Sequence, residues 1–171
     1  MARTLLLGMG NPILRDDAVG IRLAADVARR LGPVSGLDVV PECSVGGLEL
    51  LPILEGYSRV VLFDSIKTGG ATPGTWHRFT AADLRPTMNL ANVHDTNLAT
   101  ALELGRRSGL ALPPAEAIHI IAVEILDNLT FDERMTPVLE ETYPCCVDAI
   151  YSQVAALVSS GPRLAVERQQ D

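Results

Sequence analysis

Aromatic side chains are scarce: three Phe, three Tyr and one Trp make up 4% of the 171 residues. A core built from this chain is therefore aliphatic, and a hydrophobic fraction of 47% is enough to fill one domain. Lysine is rarer still, Lys67 being the only one, and 14 basic residues face 21 acidic ones for a net charge of −7. With no basic stripe, the electrostatic footprint of nucleic-acid binding is missing. The acidic excess favours solubility, with a weaker pointer to a cationic ligand or partner surface. Long apolar runs are missing as well: none reaches the roughly 18 residues that a membrane span needs. The opening stretch to Gly8 is too short for a secretory signal and leads into a strand pattern. The expectation is a cytoplasmic protein with no membrane and no nucleic-acid partner. The three cysteines, Cys43, Cys145 and Cys146, offer neither a disulfide framework nor a zinc spacing, so buried or partly buried reduced thiols are expected.

What is present is an alternation of strand and helix patterns. The apolar run 4–9, ended by Gly10-Asn11-Pro12, reads as a buried strand. Residues 16–31 read as a helix, with Val19, Leu23 and Val27 on one face and Gly32-Pro33 as the stop. A second strand follows over 37–42, and Gly46-Gly47 opens a helix over 48–54. The β-rich run 59–64 is the strongest strand and ends in the carboxylate of Asp64. After a turn-rich loop at 69–74, residues 75–80 alternate as a half-exposed strand. A helix over 95–107, a buried strand over 117–123 and a helical region over 135–159, kinked or broken at Pro144, complete the pattern. Residues 1–160 are expected to form one α/β domain and 161–171 a polar tail. Such alternation implies a mostly parallel sheet covered on both faces, with its site beyond the carboxyl ends of the strands.

Three polar groups stand where that rule points. Asp16-Asp17 follow the first strand, Asp64 ends the strongest one, and His94-Asp95 open a helix. Each has a structural explanation of its own: an acid at a helix start acts through capping and the macrodipole, and Asp64 could pair with Lys67. Together, two carboxylates and an imidazole from three loops suit a borderline divalent metal such as nickel or zinc. They suit general acid–base work equally well, so position alone leaves the two open. Gly8-Met9-Gly10 begins like a dinucleotide fingerprint, but Ile13 stands at the third glycine position and Pro12 inside the phosphate turn. His77 and His119 lie within strand patterns and read as structural.

The stretch from Leu6 to Gly20 has the pattern Gly-x-Gly-Asn-x-x-x-x-Asp-Asp/Glu-x-x-Gly. It resembles the opening signature of the hydrogenase maturation proteases. The resemblance continues through Val60-Val61-Leu62-Phe63-Asp64, Pro73-Gly74-Thr75, His94, Ile121-Ala122-Val123-Glu124 and Leu129-Thr130-Phe131. It implies a twisted, mostly parallel five-stranded sheet sandwiched by helices. It also implies an endopeptidase that removes the C-terminal extension of a nickel-iron hydrogenase large-subunit precursor once nickel is loaded. Asp17, Asp64 and His94 would be the catalytic and metal-contacting triad, with nickel carried by the substrate and no nucleotide. Position 17 is Asp where several members have Glu. The segment 42–47 replaces an acidic, glycine-rich stretch containing threonine; its Gly46 and Gly47 are expected in a mobile, substrate-facing loop. The alternatives are a nickel-dependent escort protein that does not cleave and, further off, a nucleotide-binding α/β protein.

Overall fold

The computed structural model describes residues 3–84 and 93–160, with side chains for all of these except 93–97. The expected polar tail, 161–171, lies outside the described residues. The strands are β1 (Thr4–Met9), β2 (Leu37–Cys43), β3 (Arg59–Ile66), β4 (Trp76–Thr80) and β5 (Ile118–Glu124). The helices are α1 (Val19–Leu31), α2 (Leu51–Leu54, continuing a 3-10 turn at Gly47–Leu50), α3 (Val93–Arg107) and α4 (Pro137–Ser159).

The strands form one five-stranded sheet in the order β2-β1-β3-β5-β4. All neighbours are parallel except β4, which pairs antiparallel with β5 at the edge. Every residue of β1, β3 and β5 is buried, as continuous apolar runs require when helices cover both faces. Side chains alternate along each strand and so divide the core in two. On one face Leu5, Leu7, Val60, Leu62, Ile118 and Ile120 pack beneath α3 and α2. On the other, Leu6, Val61, Phe63, Ile121 and Val123 meet the stripe Val19, Leu23, Val27 of α1 and the Leu139, Ile150, Val154 side of α4.

Close helix–sheet contact explains the glycines of the opening signature. A Cβ on Gly20 would stand 2.3 Å from the Met9 carbonyl oxygen and 2.5 Å from that of Phe63, so only glycine lets α1 lie between β1 and β3. At Gly10, with φ +137°, a Cβ would meet the Asp17 carbonyl oxygen at 2.1 Å. Protein backbone fills the space that a phosphate-binding glycine would leave for its ligand.

Apart from small shifts at other element ends, three expectations differ. The strand through Asp64 continues to Ile66, because Ser65 and Ile66 pair with Val123 and Glu124. The first helix begins at Val19, not at Asp16, because the Asp16 side chain is drawn inward and makes no cap. The last helix runs unbroken through Pro144. Pro144 is exposed, so the carbonyl one turn earlier that loses its N–H partner can turn to water.

Candidate active site

After β1 the chain goes to β2 on one side, then crosses back so that β3 lies on the other. The crevice beyond the carboxyl ends of β1 and β3 is therefore the switch point of the sheet, where ligands of such folds bind. Asp17, Asp64 and Ser65 all stand there.

Asp17 lies in the turn before α1 and is half-buried. Its Oδ2 accepts the Asn11 N–H at 2.9 Å, and its Oδ1 accepts the Ser65 hydroxyl at 2.6 Å. Each oxygen thus keeps a lone pair for a further partner. The backbone N–H of the same Ser65 donates to Asp64 Oδ1 at 2.8 Å. One residue therefore holds both carboxylates, its hydroxyl binding one and its backbone the other. The geometry follows from strand alternation: Asp64 falls on the face of Leu62 beneath α3, and Ser65 on the face of Phe63 beneath α1. Asp64 is buried there, and its charge reaches Cys43 on the same face. Burial first, and the Asp64 charge after it, pushes the Cys43 thiol above its ordinary range.

His94 is the second residue of α3, and its side chain, like that of Asp95, lies outside the described residues. Leu98, Ala101 and Leu102 seat α3 on the sheet face that carries Asp64. Among the described residues no three His, Cys, Asp or Glu side chains form a cluster able to hold a metal ion. The described donors are the two carboxylates alone, hard oxygen ligands that leave room for ligands from elsewhere.

The other acid of the pair, Asp16, is fully buried and faces away from this crevice. Its Oδ1 accepts the Thr136 N–H at 2.6 Å, and its Oδ2 accepts the Thr136 hydroxyl at 2.9 Å and the N–H groups of Leu126 and Asp127 at 3.1 and 2.9 Å. Asp16 is structural, through long-range loop bonds and not through a helix cap. Glu124 has a similar part at the end of β5. Buried, it accepts the N–H groups of Thr68 and Gly69 and the Thr68 hydroxyl at 2.8, 2.9 and 2.9 Å, closing the loop that follows β3. Ser65 was not expected at the site, and Glu124 stood out only within the stretch Ile121-Ala122-Val123-Glu124 of the family resemblance; the available signal for both was a polar residue at the end of an apolar strand, the same one that marked Asp64.

Gly46 and Gly47 line a groove of about 380 Å³ together with Leu48 and, from α3, Thr100, Ala101 and Leu104. Gly47 is buried and opens the 3-10 turn. The three cysteines are free; Cys43 and Cys146 are buried and Cys145 is exposed. Burial pushes the Cys146 thiol up to about 11. His77 and His119 lie on β4 and β5 as expected; His77 is exposed and His119 buried. No described helix is long and apolar enough to cross a membrane.

A family model described as hydrogenase maturation protease matches residues 21–153. No curated protein matches the chain. Among solved structures, the hydrogenase maturating endopeptidase HybD from Escherichia coli superposes with a TM-score of 0.72 at 24% identity, over 94% of this chain and 98% of that one. A solution structure of an endopeptidase from Escherichia coli gives 0.70 at 23% identity, over 94% of each chain. The nickel-iron hydrogenase maturation protease HybD from Thermococcus kodakarensis gives 0.64 at 18% identity, over 88% and 98%. These likenesses establish the α/β fold, and the family match extends over most of the chain.

Proposed function

The chain belongs to the hydrogenase maturation protease family, and on that premise we propose that it removes the C-terminal extension of a nickel-loaded nickel-iron hydrogenase large-subunit precursor. The observation that carries this reading is the pair of carboxylates, Asp17 and Asp64, tied together through Ser65 at the switch point of the sheet. Nickel enters as part of the substrate, already held by the precursor. Asp17 and Asp64, joined by His94 from the start of α3, supply the oxygen and nitrogen ligands that complete its coordination and so anchor the scissile peptide beside them. Anchoring at the metal converts recognition into position, holding the scissile peptide where the reacting groups can meet it. Water activation falls to a carboxylate or to the metal, and polarisation of the carbonyl to the metal. Thiol chemistry is disfavoured, since Cys43 beside Asp64 is held protonated by burial and by that carboxylate.

The test is incubation of nickel-loaded precursor with the parent protein and with Asp17→Asn, Asp64→Asn and His94→Ala, following release of the tail by mass spectrometry. The parent is expected to release it and the three variants are not, while circular dichroism shows them folded. Metal-free precursor kept in chelator should survive uncut. Cleavage of that precursor at the parental rate would sink the nickel-recognition step. Binding of loaded precursor without any cleavage would mean an escort protein instead.

A further inference from the structure

Leu48 and Leu104, two of the large apolar side chains exposed among the described residues, line one groove. Leu48 belongs to the 3-10 turn before α2 and Leu104 to α3. Gly46 and Gly47 bring no side chain to the lining, Ala101 brings a methyl group and Thr100 a small hydroxyl side chain. The result is an open space of about 380 Å³, and none of these six residues is charged. Single exposed leucines are ordinary on a surface; two on one concavity with small residues between them make a pocket for an apolar group.

The backbone that leads into the groove points to what fills it. β2 is an edge strand, and after Cys43 the chain enters neither helix nor strand until Gly47. Gly46 has φ −143° and ψ 176°, an extended conformation. The N–H groups of Val45 and Gly46 donate to nothing among the described residues. Extended backbone with unpaired groups at a sheet edge is a template for one more strand. In recognition of that kind, backbone pairing supplies affinity and pockets for alternate side chains supply selectivity. Gly46 belongs to both the edge and the groove.

This edge starts beside the carboxylates. The Cys43 carbonyl accepts the Gly10 N–H at 3.2 Å, and the Ser44 hydroxyl donates to the Gly10 carbonyl at 3.0 Å. Gly10 precedes Asn11, whose N–H holds Asp17. Cys43 shares the face of Asp64 and feels its charge, and Gly46 is three residues on, at most about 10 Å of extended chain. Along α3, Thr100 and Leu104 follow His94 by six and ten residues, about 9 and 15 Å at about 1.5 Å per residue. A peptide held at the carboxylates therefore reaches the groove with about three to five extended residues. A second copy of this chain is a poorer occupant: a stable dimer buries about 1,200–2,000 Å², and the groove takes one or two side chains. An extended peptide fits both edge and groove, and the reaction proposed above brings one here.

We propose that the groove takes an apolar side chain of the precursor, from a stretch beside the scissile peptide that lies extended along residues 44–46. The inference rests on the function proposed above. Its test is Thr100→Phe, which fills the groove from an exposed position and so should leave melting unchanged. Leu104→Ser removes a wall instead, and Glu103→Phe places the same bulk on α3 outside the groove. Each is assayed on nickel-loaded precursor alongside the parent, with direct binding of that precursor measured by surface plasmon resonance. Thr100→Phe and Leu104→Ser are expected to raise KM about tenfold or more, with a matching loss of binding and kcat near the parental value, while Glu103→Phe behaves as the parent. Parental KM and binding in both groove variants, with cleavage by the parent intact, would overturn the groove alone. An equal loss in Glu103→Phe would overturn it too, since the effect would not be confined to the groove. Failure of the parent both to cleave and to bind the precursor would remove the function proposed and the groove with it. A concentration-dependent dimer of the parent that Thr100→Phe abolishes would assign the groove to self-association and also overturn the proposal.

Discussion

Asp16 and Asp17 are adjacent and chemically identical, yet substitution should affect them in opposite ways. In Asp16→Asn one carboxylate oxygen survives and the other becomes an amide NH2 aimed at donors. If the oxygen stays with the Thr136 N–H, the N–H groups of Leu126 and Asp127 lose their acceptor; if the amide flips, Thr136 loses it. A buried donor left without a partner costs about 1–3 kcal/mol, and the loss of the negative charge weakens the bonds that remain. With one or two orphaned donors, the variant should be destabilised by about 3–5 kcal/mol. Against a total stability of roughly 5–15 kcal/mol the protein still folds, but its melting temperature should fall by roughly 6–20 °C at about 2–4 °C per kcal/mol. Asp17→Asn meets only the Asn11 N–H and a Ser65 hydroxyl that can rotate to accept, at a half-buried position. It should lie within about 1 kcal/mol of the parent. Urea unfolding followed by circular dichroism measures both. The reasoning fails if Asp16→Asn unfolds within about 0.5 kcal/mol of the parent, or if Asp17→Asn loses as much stability as Asp16→Asn does.

Two further expectations follow from the same geometry. Ser65→Ala removes the 2.6 Å bond to Asp17, a charge-assisted contact worth about 1.5–3 kcal/mol. Ser65 is a positioning residue, so kcat for precursor cleavage should drop by about tenfold or more with KM little changed; a parental kcat would remove Ser65 from the site. His119 is buried, and burial first, then the charges of Arg78 and Arg59, lowers its pKa below the ordinary value of 6.5. Above that value both folded and unfolded imidazoles are neutral and the group has no effect. Below it the unfolded chain takes up a proton that the folded chain refuses, so stability should decline as pH falls from 6.5, by at most about 1.4 kcal/mol per pH unit. His119→Asn should flatten that slope in urea titrations between about pH 6.5 and 5. An unchanged slope would place the titration elsewhere.

How far the structure was legible in the sequence depends on where each residue finds its partners. The strands β1, β3 and β5 were legible because a strand buried on both faces must be apolar throughout, and this is a local property. The α1 stripe was legible for the same reason: Val19, Leu23 and Val27 advertise one face. The end of β3 was not. Ser65 looks like the start of a loop, and its bond to Asp17 helps to make a polar residue tolerable inside the sheet. Pro144 looks like a break, and only its exposure lets the helix continue.

The Asp16-Asp17 pair is the hardest case. Both residues fit a helix cap, and neither makes one. Asp16 is committed to donors at Leu126, Asp127 and Thr136, more than a hundred residues away in the chain. Those donors come from the segment that displays Leu126, Leu129 and Phe131. Asp17, one step on, turns the other way, to Asn11 and Ser65 at the carboxyl edge of the sheet. A single dipeptide thus braces the segment after β5 with one carboxylate and turns the other to the carboxyl edge of the sheet.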